Sequence, residues 1–174
     1  MKKIFVSAVL AAFLFTTINS CAQGDKSKRP SPPAKATATL ASGAIVTIDY
    51  SQPSVKGRTI GKDIEPKEGQ VWRTGANEAT VFEISKAVKI NGKDLAAGKY
   101  ALFTLVKGGE WTVIFNKTWS QWGAYDYKSA DDALTIKATA TKATTSTEKM
   151  TFTIDKNGAV DLLWGDNKVM FTVN

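Results

Sequence analysis

From residue 36 onward, apolar and polar side chains alternate with period two, the pattern of half-buried β-strands. Val46, Ile48 and Tyr50 alternate with Thr47 and Asp49, and Thr80, Phe82 and Ile84 flank Val81 and Glu83. Val88 and Ile90 flank Lys89. Tyr100, Leu102 and Thr104 define one face of a strand whose other face carries Ala101 and Phe103. The same pattern runs through Trp111–Val113–Phe115, Leu134–Ile136–Ala138, Met150–Phe152–Ile154, Leu162–Trp164 and Val169–Phe171–Val173. Asn91-Gly92 and Asn157-Gly158 supply residues tolerant of positive φ, as tight hairpins require. Lys107-Gly108-Gly109 and Gly165-Asp166-Asn167 punctuate the chain in the same way. About nine or ten short strands at this spacing predict an all-β fold, a two-sheet antiparallel sandwich of immunoglobulin-like or jelly-roll-like type with little helix. A closed barrel is the alternative. Only residues 129–132 hint at a helical turn.

The N-terminus breaks this pattern. Lys2 and Lys3 precede an apolar run from residue 4 to 16, followed by small and polar residues. That is the layout of a secretory signal, and the run is too short for a stable membrane span. Two processing sites overlap. Ser20-Cys21-Ala22 fits cleavage after Ala22. Ile18-Asn19-Ser20-Cys21 resembles a lipobox, in which Cys21 becomes the lipid-bearing N-terminus and several acyl chains anchor the protein. Residues 1–21 are therefore expected to be a signal peptide or lipobox. Residues 22–35 read as a flexible, Pro-containing tether, and residues 36–174 as a single β-sandwich domain. The expected location is outside the cytoplasm, as a periplasmic or outer-membrane lipoprotein of a Gram-negative bacterium.

Composition narrows the chemistry. The 174 residues include no histidine and one cysteine. Ser-His-Asp and Cys-His catalysis are excluded, as are imidazole metal ligands, Cys-rich zinc sites and an intramolecular disulfide. The formal net charge of +7 comes almost wholly from lysines spread singly along strand-like segments. That is a solvated β-surface, and it lacks the clustered basic, aromatic face of a nucleic-acid binder.

Two segments do not read as strands. Residues 50–80 form a long connection of the kind that is usually functional when ordered, and Trp72 and Ile60 call for order. It carries Tyr50, Lys56, Arg58, Arg73, Asn77 and Glu78. Arginine forks onto carboxylate or phosphate, and asparagine both donates and accepts. A polar pocket for an anionic or hydroxyl-rich ligand is one reading. The plainer one is an Arg73 pair with Glu78 or a nearby Asp, with Asn77 satisfying loop backbone. Residues 117–128 carry Trp119, Trp122, Tyr125 and Tyr127 within nine positions. These suit either a stacking platform for sugars or an aromatic plug over one end of the sandwich.

The stretches Tyr50-Ser51-x-Pro53, Lys56-Gly57-Arg58-x-Ile60-Gly61, Val71-Trp72-Arg73-Thr74-Gly75-Ala76-Asn77-Glu78-Ala79-Thr80, Gly98-Lys99-Tyr100-x-Leu102-Phe103, Trp111-Thr112-Val113-Ile114-Phe115-Asn116 and Trp122-Gly123-Ala124-Tyr125 resemble domain-of-unknown-function family 2911, exported β-proteins of Bacteroidota. The resemblance spans roughly residues 31 to 140. It implies an exported, often lipobox-bearing β-protein and no particular reaction.

The combined expectation is a membrane-anchored binding module with a polar site around residues 50–80. Its ligand-binding candidates are Tyr50, Lys56, Arg58, Arg73, Asn77, Glu78, Trp119, Trp122 and Tyr125, with Cys21 the lipid attachment point. The partner is a small molecule, a glycan or an envelope protein. No cofactor, metal or catalytic residue is implied. A carboxylate-based hydrolase acting on glycans and a purely structural envelope component are the alternatives, and the balance is against an enzyme.

Overall fold

A computed structural model describes residues 25–174. The export signal, the lipobox and Cys21 lie outside the described residues. Ten strands follow in chain order: β1 (Pro33–Thr39), β2 (Ile45–Ser51), β3 (Val71–Trp72), β4 (Thr80–Ile84), β5 (Val88–Ile90), β6 (Lys93–Leu95), β7 (Gly98–Lys107), β8 (Glu110–Asn116), β9 (Asp132–Ile154) and β10 (Ala159–Thr172). Among the described residues, helix is limited to two 3₁₀ turns, Lys26–Lys28 and Ser129–Asp131. The all-β expectation holds.

The large sheet runs β1-β2-β4-β7-β8-β9-β10, with β3 pairing β7 off this path, and β5-β6 form a second, small sheet. Asn91 and Gly92, both at positive φ, turn the β5–β6 hairpin as their residue types dictate. The large sheet becomes a sandwich by curling. The N-terminal half of β9 pairs with β8, and its C-terminal half pairs with β10. Between Lys142 and Thr147 it carries more residues than β10 offers opposite, a bulge that bends the hairpin. The β9–β10 hairpin thus returns over the first strands. Phe171 packs 6.4 Å from Phe82 and 5.9 Å from Phe115, and Phe152 packs 5.1 Å from Tyr50, each on a strand its own does not pair with. The ends of the curl meet where the Met150 amide donates to the Pro53 carbonyl and the Val55 amide to the Glu148 carbonyl. The strand order is a meander among the described residues, without the Greek-key crossing of an immunoglobulin or jelly-roll sandwich.

The alternation on β7 is realised as two cores. Tyr100 and Leu102 join the main core with Val46, Ile48, Phe82, Phe115, Phe152 and Phe171. Ala101 and Phe103 face the other way, into a smaller cluster with Ala79 and Ile114 that Val71, Ala124 and Tyr127 cover. Burying each large side chain contributes about 1.5–3 kcal/mol, so β7, buried on both faces, is the centre of the fold.

β1 begins at Pro33, inside the stretch expected to be a flexible tether. Its register places Pro33 opposite Ser51 and Thr39 opposite Ile45.

Candidate functional site

The two segments that do not read as strands meet in space. Residues 117–128 leave the end of β8 and fold back beside the bend that precedes β4. The Ala79 amide donates to the Gln121 carbonyl (3.0 Å) and the Gly123 amide to the Asn77 carbonyl (3.1 Å). At the base of the loop, Asn116 is fully buried. Its Nδ2 donates to the Lys128 carbonyl (3.0 Å) and to Asp132 Oδ1 (2.8 Å), and its Oδ1 accepts from the Thr118 amide (3.0 Å). Tyr127 packs edge-on to Phe103 at 5.1 Å and donates its hydroxyl to Asp132 Oδ2 at 2.8 Å. Burial, then the bond to Asp132 and its charge, push the Tyr127 pKa up to about 12.

With Tyr127 and Ala124 turned inward, the other aromatics of the loop stand out in solvent. Trp119 is 42%, Trp122 53% and Tyr125 84% exposed. The aromatic segment is thus divided: Tyr127 plugs, while both indoles present their rings. Trp119 and Trp122 wall a cleft of about 470 Å³ whose opposite side is β2 and the start of β4, with Tyr50, Ser51, Ala79 and Val81. Lys26, Asp49, Glu78, Ser120 and Gln121 supply polar groups, and Gln121 Oε1 is buried without a partner among the described residues. Tyr50 is largely core, since its hydroxyl accepts the Phe152 amide of β9.

The N-terminal segment closes one side of this cleft. Asp25 caps the Lys26–Lys28 turn by accepting from the Ser27 amide. Arg29 Nη1 reaches both oxygens of Glu78 at 3.0 and 2.8 Å, and Lys26 Nζ lies 3.1 Å away. The Arg29 guanidinium stands 6.0 Å from the Trp122 ring centre, and Lys99 Nζ stands 5.3 Å from that of Trp119. Asn77 Nδ2 donates to the Ser31 carbonyl, and the Gln52 amide to that of Pro32. Burial acts to raise the Glu78 pKa. Its own backbone amide, Arg29 and Lys26 outweigh that and hold it below the usual carboxylate range. The partner of Glu78 is therefore Arg29 and not Arg73, which corrects the pairing expected from sequence.

Arg58 and Arg73 line a second cavity, of about 270 Å³, on the other side of the bend. The bend that separates them is stitched by Thr80 Oγ1 donating to the Thr74 carbonyl (2.7 Å) and Thr74 Oγ1 meeting Thr104 Oγ1 (3.2 Å). Gly75 is required here, because a Cβ would stand 2.9 Å from Thr80 Oγ1 and 3.1 Å from the Ser51 carbonyl. The candidates thus divide. Tyr50, Glu78, Trp119 and Trp122 share the cleft, and Arg58 and Arg73 share the second pocket. Asn77 serves the bend. Lys56 is exposed and gives its amide to Glu148, and Tyr125 lies outside both linings. Sequence reasoning missed Gln121, Lys26 and Arg29. The two cations sat in what read as a spacer, and nothing local marked their partner.

A family model described as protein of unknown function (DUF2911) matches residues 31–173. No curated protein and no solved structure matches the chain.

Proposed function

The chain belongs to the DUF2911 family, and from that premise we propose that it is an exported, N-terminally anchored binding module whose cleft takes a hydroxyl-bearing ring, a sugar unit above all. The observation that carries this is the pair Trp119 and Trp122, exposed yet fixed by backbone bonds to the 77–79 bend. Of the four large hydrophobic side chains that stand exposed among the described residues, three belong to this one loop. Leaving indoles in water forgoes burial that the fold gains elsewhere, and such exposure marks a contact surface. Indole faces stack on the C–H faces of sugar rings, and orphaned acceptors take hydroxyl protons. Gln121 Oε1 is such an acceptor, buried beside the rings with no partner among the described residues. Export and anchoring rest on Lys2, Lys3, the apolar run from residue 4 to 16 and Cys21.

A hydrolase draws less support from the same cleft. A general acid at neutral pH needs a raised pKa, and that of Glu78 is lowered. A glycan array followed by titration calorimetry of any hit tests the proposal. Trp122→Ala is expected to weaken a genuine ligand about tenfold while the melting temperature stays within a degree or two of wild type. An array without hits, or a hit indifferent to both Trp122→Ala and Gln121→Ala, removes the sugar reading.

A further inference from the structure

The second pocket holds an arginine whose side chain has no partner among the described residues. Arg73 Nε is buried and has no hydrogen-bond partner, and its guanidinium makes no ion pair among the described residues. A buried donor left unpaired is costly, and a charged one more so. The cavity beside it, about 270 Å³, has room for a small molecule. Its walls are set. Trp72 donates Nε1–H to the Gly75 carbonyl (3.0 Å) and Trp164 donates Nε1–H to the Glu65 carbonyl (2.8 Å), so two buried indoles hold two stretches of the rim.

The charges around the pocket specify what fits. Arg58 and Lys67 line it with Arg73. Arg58 is partly occupied, giving Nε to the Val55 carbonyl (3.0 Å) and Nη2 to that of Ser54 (2.6 Å). Asp63 and Glu65 also line it. Each accepts one backbone amide of its own loop, Asp63 from Thr59 (2.8 Å) and Glu65 from Lys67 (2.7 Å), which leaves further lone pairs free. Three cations against two carboxylates favour an anion of low charge over a multiply charged one. The free lone pairs favour a ligand that also donates hydrogen bonds.

We propose that this pocket binds a small carboxylate, such as a hydroxy acid, with Arg73 forking onto the carboxylate and Asp63 and Glu65 accepting from its hydroxyl. This site is independent of the aromatic cleft.

The test follows the guanidinium Nε–Hε resonances by ¹⁵N–¹H NMR at constant ionic strength. The chain has only three arginines, Arg29, Arg58 and Arg73, so assignment by substitution is direct. The purified protein is titrated with lactate, acetate and inorganic phosphate in turn. Lactate should shift the Arg73 resonance saturably and leave that of Arg29 in place. Acetate, lacking the hydroxyl, should bind more weakly, and phosphate more weakly than lactate. Followed on the Gly75 and Ala76 amides, lactate affinity should fall roughly ten- to hundredfold in Arg73→Gln. That variant should melt at or near the wild-type temperature, since the side chain it replaces is only partly buried and its buried Nε makes no bond among the described residues. The proposal is overturned by absence of a saturable lactate shift, by unchanged affinity in Arg73→Gln, or by a marked drop in that variant's melting temperature, which would make the guanidinium structural. Phosphate binding tighter than lactate overturns the assignment to a carboxylate. Acetate equal to lactate overturns the role given to Asp63 and Glu65.

Discussion

Both cavities are walled by a pair of tryptophans, and the two pairs are used in opposite ways. In the arginine pocket, Trp72 and Trp164 are 3% and 1% exposed, and each spends its N–H on a rim carbonyl. In the cleft, Trp119 and Trp122 lie on a connection whose backbone is tied down while their rings stay in water. The first pair is framework: its rings belong to the same packed core as Phe152 and Val160. The second pair is surface held in place by other residues, chiefly Asn116, Tyr127 and the 77–79 bend. The same residue type therefore carries stability in one cavity and contact area in the other. What separates them is whether the backbone or the ring has been buried.

That contrast can be broken from either side. Trp164→Ala should have the largest effect, about 3–5 kcal/mol of stability by denaturant unfolding, because it opens a void where the β9–β10 hairpin meets the rim. A loss below about 1 kcal/mol would show that the pocket indoles are not framework. Asn116→Ala comes next, at about 1–3 kcal/mol, since it empties a fully buried position and removes the bonds that tie the Thr118 amide, the Lys128 carbonyl and Asp132 to the base of the loop. Hydrogen exchange should rise across residues 117–128 and remain unchanged at Trp72 and Trp164. Uniform exchange would merge the two regions.

Alkaline titration gives a smaller effect with a defined sign. The Tyr127 pKa is raised in the fold to about 12, so the neutral phenol is the stabilised form. Its contribution is whole below the unfolded value of about 10 and fades as pH climbs through the folded one. Phenolate absorbance should show Tyr127 ionising near pH 12, with the loop loosening at that step. The smallest effect is acidic. Glu78 is lowered in the fold, so its contribution is present above the unfolded carboxylate pKa and lost as pH falls through the folded one. Being partly exposed to water, the Arg29–Glu78 pair is worth under about 1 kcal/mol. Its release should appear as a local shift at Arg29 and Ser31 without unfolding, and a global transition at that pH would refute the surface assignment.

Most of the sheet was legible because period two is a direct imprint of one-sided burial. Tyr100 and Leu102 against Ala101 and Phe103 sorted into the two cores as the alternation indicates. Two strands were under-read for one reason. β1 consists of Pro, Lys, Ala and Thr, and the middle of β9 consists of Thr, Lys, Ala, Ser and Glu. Both are edge or solvent-facing stretches held by backbone pairing, which leaves no hydrophobic trace. The site was legible as two irregular segments and no further. Arg29 finds Glu78 49 positions away, and Ala79 finds Gln121 through backbone groups that every residue possesses. Spacing along the chain carries no information about such meetings. Nor did the density of aromatics in residues 119–127 tell which ring turns inward, because Asp132, the partner that draws Tyr127 in, lies beyond the segment.

The division of the indoles also gives the molecule an optical property. Of five tryptophans, Trp72, Trp111 and Trp164 are buried and should emit toward the blue, while the exposed Trp119 and Trp122 should emit toward the red. Iodide, drawn by the neighbouring Lys99 and Arg29 cations, should quench the red side of the emission and spare the blue. A molecule seated in the cleft would shield that red component alone, so occupancy can be read from the protein's own light, with no label attached.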